Sequence, residues 1–135
     1  MRTIAIALLV LGLAACAPQR QMSLNEIPTT HVYSKSKEDV LNALKFFCTR
    51  EEFRIVRIEE ESGRFVASRM EQATRPEDTR TIVLSVRMVP ADSGRTTVES
   101  KFAFANLQGT ATRADEDVLV DYYHRLYGLL KDFLE

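Results

Sequence analysis

Apolar residues recur along this chain in two different rhythms, and the places where the rhythm changes predict its elements. From Ser36 onward Val40, Leu41, Leu44, Phe47 and Cys48 fall at helical spacing while Lys37, Glu38, Asn42 and Lys45 fall elsewhere, the pattern of an amphipathic helix. Ser36, with Asp39 three positions later, resembles a capping box that starts it. Residues 53–59 (FRIVRIE) are rich in β-branched and aromatic types and read as a strand. Glu61-Ser62-Gly63 is turn chemistry, and residues 64–70 (RFVASRM) return as the second strand of a hairpin. A polar loop over 71–79, containing Pro76, leads into the cleanest alternation in the chain, where Ile82, Leu84, Val86 and Met88 share one parity of residues 80–89. Residues 90–94 (PADSG) turn the chain into 96–105, where Val98, Phe102 and Phe104 alternate with Glu99 and Lys101. The pattern breaks around Gly109. A final helix is then expected from about Asp115 to Leu134, with Leu119, Tyr122, Tyr123, Leu126, Leu130 and Phe133 on one side and Asp121, Arg125 and Asp132 on the other.

The order is α-β-β-β-β-α. Each helix must bury an apolar stripe, and an antiparallel sheet with one apolar face supplies the matching surface. The predicted fold class is therefore α+β, a two-layer sandwich with a four-stranded antiparallel sheet and both helices on one face, formed as a single domain by residues 34–135. By element order and patterning this arrangement resembles the helix-grip or TATA-binding-protein-like domains of small envelope lipoproteins, including those of the outer-membrane β-barrel assembly machinery.

Ahead of that domain the chain has a different character. Met1-Arg2-Thr3 supplies a positive head and residues 4–15 (IAIALLVLGLAA) an uncharged apolar run ending in small side chains, as a secretory signal requires. As a helix this run rises about 18 Å, well short of the roughly 30 Å of a bilayer's hydrocarbon core, so export suits it better than a permanent span. Leu13-Ala14-Ala15-Cys16, followed by Ala17, resembles the lipobox of bacterial lipoproteins. The resemblance implies diacylglycerol on the sulfur of Cys16, cleavage before it, and acylation of the new amine. Two or three acyl chains then anchor the protein with no inserted polypeptide. Ala17, where an Asp would signal retention at the inner membrane, implies the outer membrane and its periplasmic face. An ordinary secretory signal with an incidental cysteine and a buried N-terminal helix are the competing readings. The division is then signal peptide 1–15, lipidated Cys16 with a flexible tether 16–33, and domain 34–135. A tether of about sixteen residues has a root-mean-square span of roughly 20 to 25 Å; Val32 and Tyr33 stand at its border with the domain.

Charge and cysteine count narrow the functional classes. The chain has 18 Lys and Arg against 19 Asp and Glu, a balance that argues against a nucleic-acid binder. If Cys16 carries lipid, Cys48 has no partner within the chain and is a buried free thiol or an intermolecular one. His31 in the tether and His124 on the polar side of the last helix are the two histidines, and neither has a second ligand at metal spacing, so no metal is expected. Glu59-Glu60-Glu61 lies at a hairpin turn and reads as solvated. No phosphate-binding loop, CxxC, HExxH or Ser/His/Asp order is present. No catalytic residue and no cofactor beyond the covalent lipid on Cys16 is expected, and the chain reads as a non-enzyme.

Four cations inside the predicted strands remain: Arg57, Arg69, Arg87 and Lys101. Arg87 and Lys101 have the parity that projects away from the helices, beside Thr81, Val83, Ser85 and Val89, and so are candidate partner-binding residues. For Arg57 and Arg69 the parity is ambiguous, because both Phe53/Ile55 and Val56/Ile58 are apolar. The plain reading is a solvated sheet face; the functional one is contact with an envelope protein or with anionic lipid. The leading expectation is a membrane-anchored scaffold, accessory or protein-binding module of the cell envelope. The alternatives are a carrier of a small amphiphile held where Tyr122, Tyr123, Phe102 and Phe104 converge, and an envelope hydrolase with polar residues gathered in a cleft.

Overall fold

The computed structural model describes residues 23–71, 79–105 and 110–135. The signal peptide, Cys16, the tether as far as residue 22, the loop at Pro76 and the break around Gly109 lie outside the described residues.

The chain is α+β, with helices α1 (Lys37–Arg50) and α2 (Arg113–Leu134) and strands β1 (Thr30–Tyr33), β2 (Arg54–Glu59), β3 (Arg64–Glu71), β4 (Arg80–Pro90) and β5 (Thr96–Phe104). Each helix starts where side-chain chemistry can satisfy its first amides. Ser36 Oγ accepts from the Asp39 amide at 3.2 Å, and at α2 Thr112 and Asp115 form a complete reciprocal capping box. Asp115 also pairs with Arg80, whose guanidinium lies 4.6 Å from the centre of the Phe104 ring, so the start of α2 is tied to the start of β4. Helix α1 ends without a glycine: Glu52 takes φ +59°, and the Phe53 amide donates back to the Cys48 carbonyl at 2.8 Å.

The sheet has five strands, in the order β1-β5-β4-β3-β2, where the pattern of the sequence predicts four. All pairs are antiparallel. The added strand comes from the stretch assigned to the tether. Its residues carry no sustained period, but β1 borrows its order from β5, pairing His31 with Val98 and Tyr33 with Thr96. The chain before it is pinned as well. Ile27 is buried, and the Pro28 carbonyl accepts from Tyr127 Oη at 2.7 Å. Thr96, itself buried, donates through its hydroxyl to the Lys35 carbonyl at 2.7 Å.

At the opposite edge, β2 pairs Ile55 with Ala67 and then Arg57 with Val66, so Val56 is an extra residue in a bulge. That bulge resolves the ambiguous parity: Ile55 and Ile58 lie on the side of Ala67 and Phe65, and Arg54, Arg57 and Glu59 on the other. Bulged, charged edge strands resist pairing with other chains. The β2–β3 turn needs its glycine. Gly63 has φ +72°, and a Cβ there would collide with the Met88 carbonyl oxygen, while the Met88 amide donates to the Gly63 carbonyl at 2.8 Å.

One parity of the sheet, carrying Phe65, Ala67, Ile82, Leu84, Val86, Met88, Val98 and Phe102, is buried in a single apolar cluster with Val40, Leu44, Phe47 and Cys48 of α1 and Leu119, Tyr122, Tyr123, Leu126 and Leu130 of α2. Every apolar position of the predicted α1 stripe is buried. In α2 the stripe is displaced by one residue near its end: Leu129 and Leu134 are buried, whereas Phe133 is 52 % exposed and packs against Phe46 of α1 with ring centroids 4.7 Å apart.

Candidate functional site

Residues paired across neighbouring strands project to the same face, so the register specifies what the exposed parity of the sheet displays. One row runs Arg57–Val66–Ser85–Lys101 across β2, β3, β4 and β5; the next runs Glu59–Arg64–Arg87–Glu99. Arg54, opposite Ser68, extends the cationic side toward the β2 edge. At one end of this face Val32 and Val89 both stand opposite Thr97 and are exposed, and at the other end Met70 is exposed. A shallow depression of about 380 Å³ lies in the middle, lined by Arg64, Val66, Ser85, Arg87, Glu99 and Lys101 among others.

The structure thus brings together three of the four candidate cations, Arg57, Arg87 and Lys101, and adds Arg64 and Arg54. Arg69 goes elsewhere. It stands opposite Ile82 on the buried parity, donates to the Glu51 carbonyl at 2.6 Å and lies 5.8 Å from the centre of the Tyr122 ring. Its work is structural: it closes the end of α1 over the sheet. The cause is register. Arg64 and Arg69 are five residues apart in one strand, an odd step that puts them on opposite faces.

Partners separate the two groups of arginines further. Arg80 pairs with Asp115, and Arg125 with Glu51 at 3.0 Å and Asp121 at 2.7 Å. Attraction to those carboxylates and the Glu51 hydrogen bond outweigh burial and hold the Arg125 pKa above its ordinary value. On the exposed face Arg57 pairs with Glu59 at 3.2 Å, but Arg64, Arg87 and Lys101 form no ion pair with a described residue. Arg64 and Arg87 stand directly opposite each other, a like-charge arrangement that disfavours the bare sheet.

No family model matches this chain, and no curated protein matches it. The geometry must therefore carry the functional reading.

The interior gives a different answer from the exposed face. Phe102 meets Phe47 at 6.2 Å, Phe53 at 6.1 Å, Tyr122 at 5.8 Å and Tyr123 at 4.9 Å between ring centroids, and the Tyr123 hydroxyl accepts from the Phe102 amide at 2.9 Å. Aromatic rings at these separations pack against one another as core side chains do. Tyr122 Oη donates to Glu71 at 2.6 Å, and burial, reinforced by this bond, raises its pKa.

Cys48, His31 and His124 lie on three different elements, α1, β1 and α2. Cys48 is buried and its thiol is pushed up to about 12 by burial, the opposite of what a nucleophile requires. His31 belongs to β1 and lies against Tyr127, with ring centroids 4.2 Å apart; burial lowers its pKa and the Glu135 carboxylate opposes that shift. His124 is exposed on α2. Among the described residues no group of three or more His, Cys, Asp and Glu is placed to hold a metal ion, and none of the described helices is long and apolar enough to cross a membrane. Sequence reasoning missed Arg64 and Arg54 as members of the face, although both obey the parity that the β2 bulge and the β3 pairing define.

Proposed function

We propose that this protein is a lipoprotein of the bacterial envelope, anchored through acylated Cys16 and facing the periplasm from the outer membrane, whose domain is a non-enzymatic docking module. The observation that carries the docking reading is the exposed parity of the sheet, with Arg64, Arg87 and Lys101 gathered around one depression and unengaged by described carboxylates. The packing of Phe102 against Phe47, Phe53, Tyr122 and Tyr123 in the interior supports docking at the outer face over carriage inside. In this reading α1 and α2 cover the same face of the sheet; the meeting of the Phe102 ring with Phe47 of α1 and with Tyr122 and Tyr123 of α2 supports it.

The anchor rests on Leu13-Ala14-Ala15-Cys16 and the apolar run before it. The described residues include a short 3-10 turn at Leu24–Glu26. The path from Cys16 to Leu24 can therefore extend to at most roughly 26 to 29 Å, whatever course it takes. A domain on so short a leash stays next to the headgroups and samples partners in or near the membrane. Intact-mass measurement of the mature protein tests the anchor: a chain beginning at Cys16 and carrying acyl chains is expected. Retention of residues 1–15, or Cys16→Ser protein still processed and held in the envelope, overturns it.

A further inference from the structure

We infer that the exposed sheet face binds a folded protein through an acidic patch, with a partner carboxylate seated between Arg64 and Arg87. This deepens the docking reading above and rests on it. Opposed arginines in adjacent strands repel until an anion lies between them, and bidentate hydrogen bonding is what a guanidinium offers a carboxylate. Lys101 and Ser85 border the same depression, supplying a further charge and a hydroxyl. Arg69, Arg80 and Arg125, by contrast, each already hold an acceptor of this chain.

Charge pattern selects a protein over a lipid surface. Glu59 and Glu99 flank the arginine pair, giving an acid-base-base-acid order across four strands. A uniformly anionic bilayer is attracted by the net positive charge of the face but leaves Glu59 and Glu99 without positive counterparts, whereas a protein can match the row with alternating charges of its own. The excess of cations over acids on this face also opposes its pairing with a second copy. Size is compatible: five strands about 4.8 Å apart and some eight residues long at about 3.4 Å each make a face of roughly 600 Å², close to the roughly 800 Å² per partner of an ordinary stable complex.

The test places a photo-crosslinking amino acid at Ser85, which is exposed, in the full-length protein expressed in its own cells. The expected result is one adduct whose partner peptide contains Asp or Glu. The adduct should fall about tenfold or more in Arg64→Glu/Arg87→Glu protein, persist with Arg87→Lys, and return when the partner's acid is changed to Lys alongside the double reversal. Thermal midpoints of the variants, measured on purified protein, establish that each is folded. An adduct with lipid, an adduct with a second copy of the chain, an adduct indifferent to charge reversal, or no adduct from folded protein overturns the inference. The acyl chains on Cys16 are read separately by mass. A lipidated protein with none of the expected crosslinks therefore sinks the acidic-partner inference alone, and an unlipidated one sinks the anchor alone.

Discussion

Arg69 in β3 and Arg87 in β4 occupy neighbouring strands of one sheet, yet the first is engaged by a backbone carbonyl of the α1 terminus and an aromatic ring, and the second reaches no described acceptor. Around Arg69 everything is interlocked: Glu51 pairs with Arg125, the Tyr122 hydroxyl donates a hydrogen bond to Glu71, and the rings of Phe53 and Tyr122 meet edge to face at 5.4 Å. Around Arg87 are an opposed arginine on one side, Glu99 opposite on the other, a lysine one row away and a depression. The difference teaches that residue type says little about the role of a charge within a sheet. The face on which it emerges decides whether it holds the fold together or remains available to something outside.

That contrast can be broken most forcefully from the buried side. Phe102→Ala or Phe47→Ala removes a ring that several others touch, and each should cost about 3–5 kcal/mol in urea unfolding. Loss below 1 kcal/mol would mean that the interior is loosely filled and would favour the carrier reading. Gly63→Ala forces a Cβ against the Met88 carbonyl oxygen at positive φ and should cost about 3 kcal/mol by the same measurement, from strain and overpacking together. Arg69→Ala should cost about 1.5–3 kcal/mol, the scale of a lost hydrogen bond made by a charged group.

Alkali probes the same side more gently. Burial pushes Cys48 up to about 12, and burial reinforced by the Glu135 carboxylate pushes Tyr33 up to about 12. In the unfolded chain these groups ionise at their ordinary values of 9.0 and 10.0. Both folded values are raised, so the stability they contribute is whole below pH 9 and is lost as pH climbs through 9 toward 12. Unfolding midpoints from pH 8 to 11 should fall in the native protein, and less steeply in Cys48→Ala protein. On the exposed face, Arg87→Ala and Lys101→Ala should each change stability by no more than about 0.5 kcal/mol. A larger loss would place these side chains among the structural ones and erase the distinction from Arg69.

Much of this architecture can be read from periodicity. The α1 stripe, the alternation of β4, the β2–β3 hairpin with Gly63 and the long final helix are local patterns, each formed by residues a few positions apart, and each stands in the structure close to its predicted bounds. Strand β1 could not be read that way. THVY lacks partners of its own and becomes a strand because β5 offers an open edge. Phe133 belongs by spacing to the apolar stripe of α2, but it lies beside Phe46 on the outside, where the helices leave it half exposed. Of the candidate site, Arg87 and Lys101 were legible because β4 and β5 alternate cleanly. Arg57 and Arg69 were not: the parity of Arg57 turns on the bulge at Val56, and that of Arg69 on its pairing with Ile82.

The amino-acid order alone settles which of the periodic stretches become helix or strand, β1 excepted, and where the turns between them fall, for these depend on neighbours along the chain. Which strand lies beside which, on which face a charge emerges and which charges are left without an acceptor were decided by the assembled fold. Those properties depend on register between segments distant in sequence, and in a sheet a shift of one residue exchanges inside for outside.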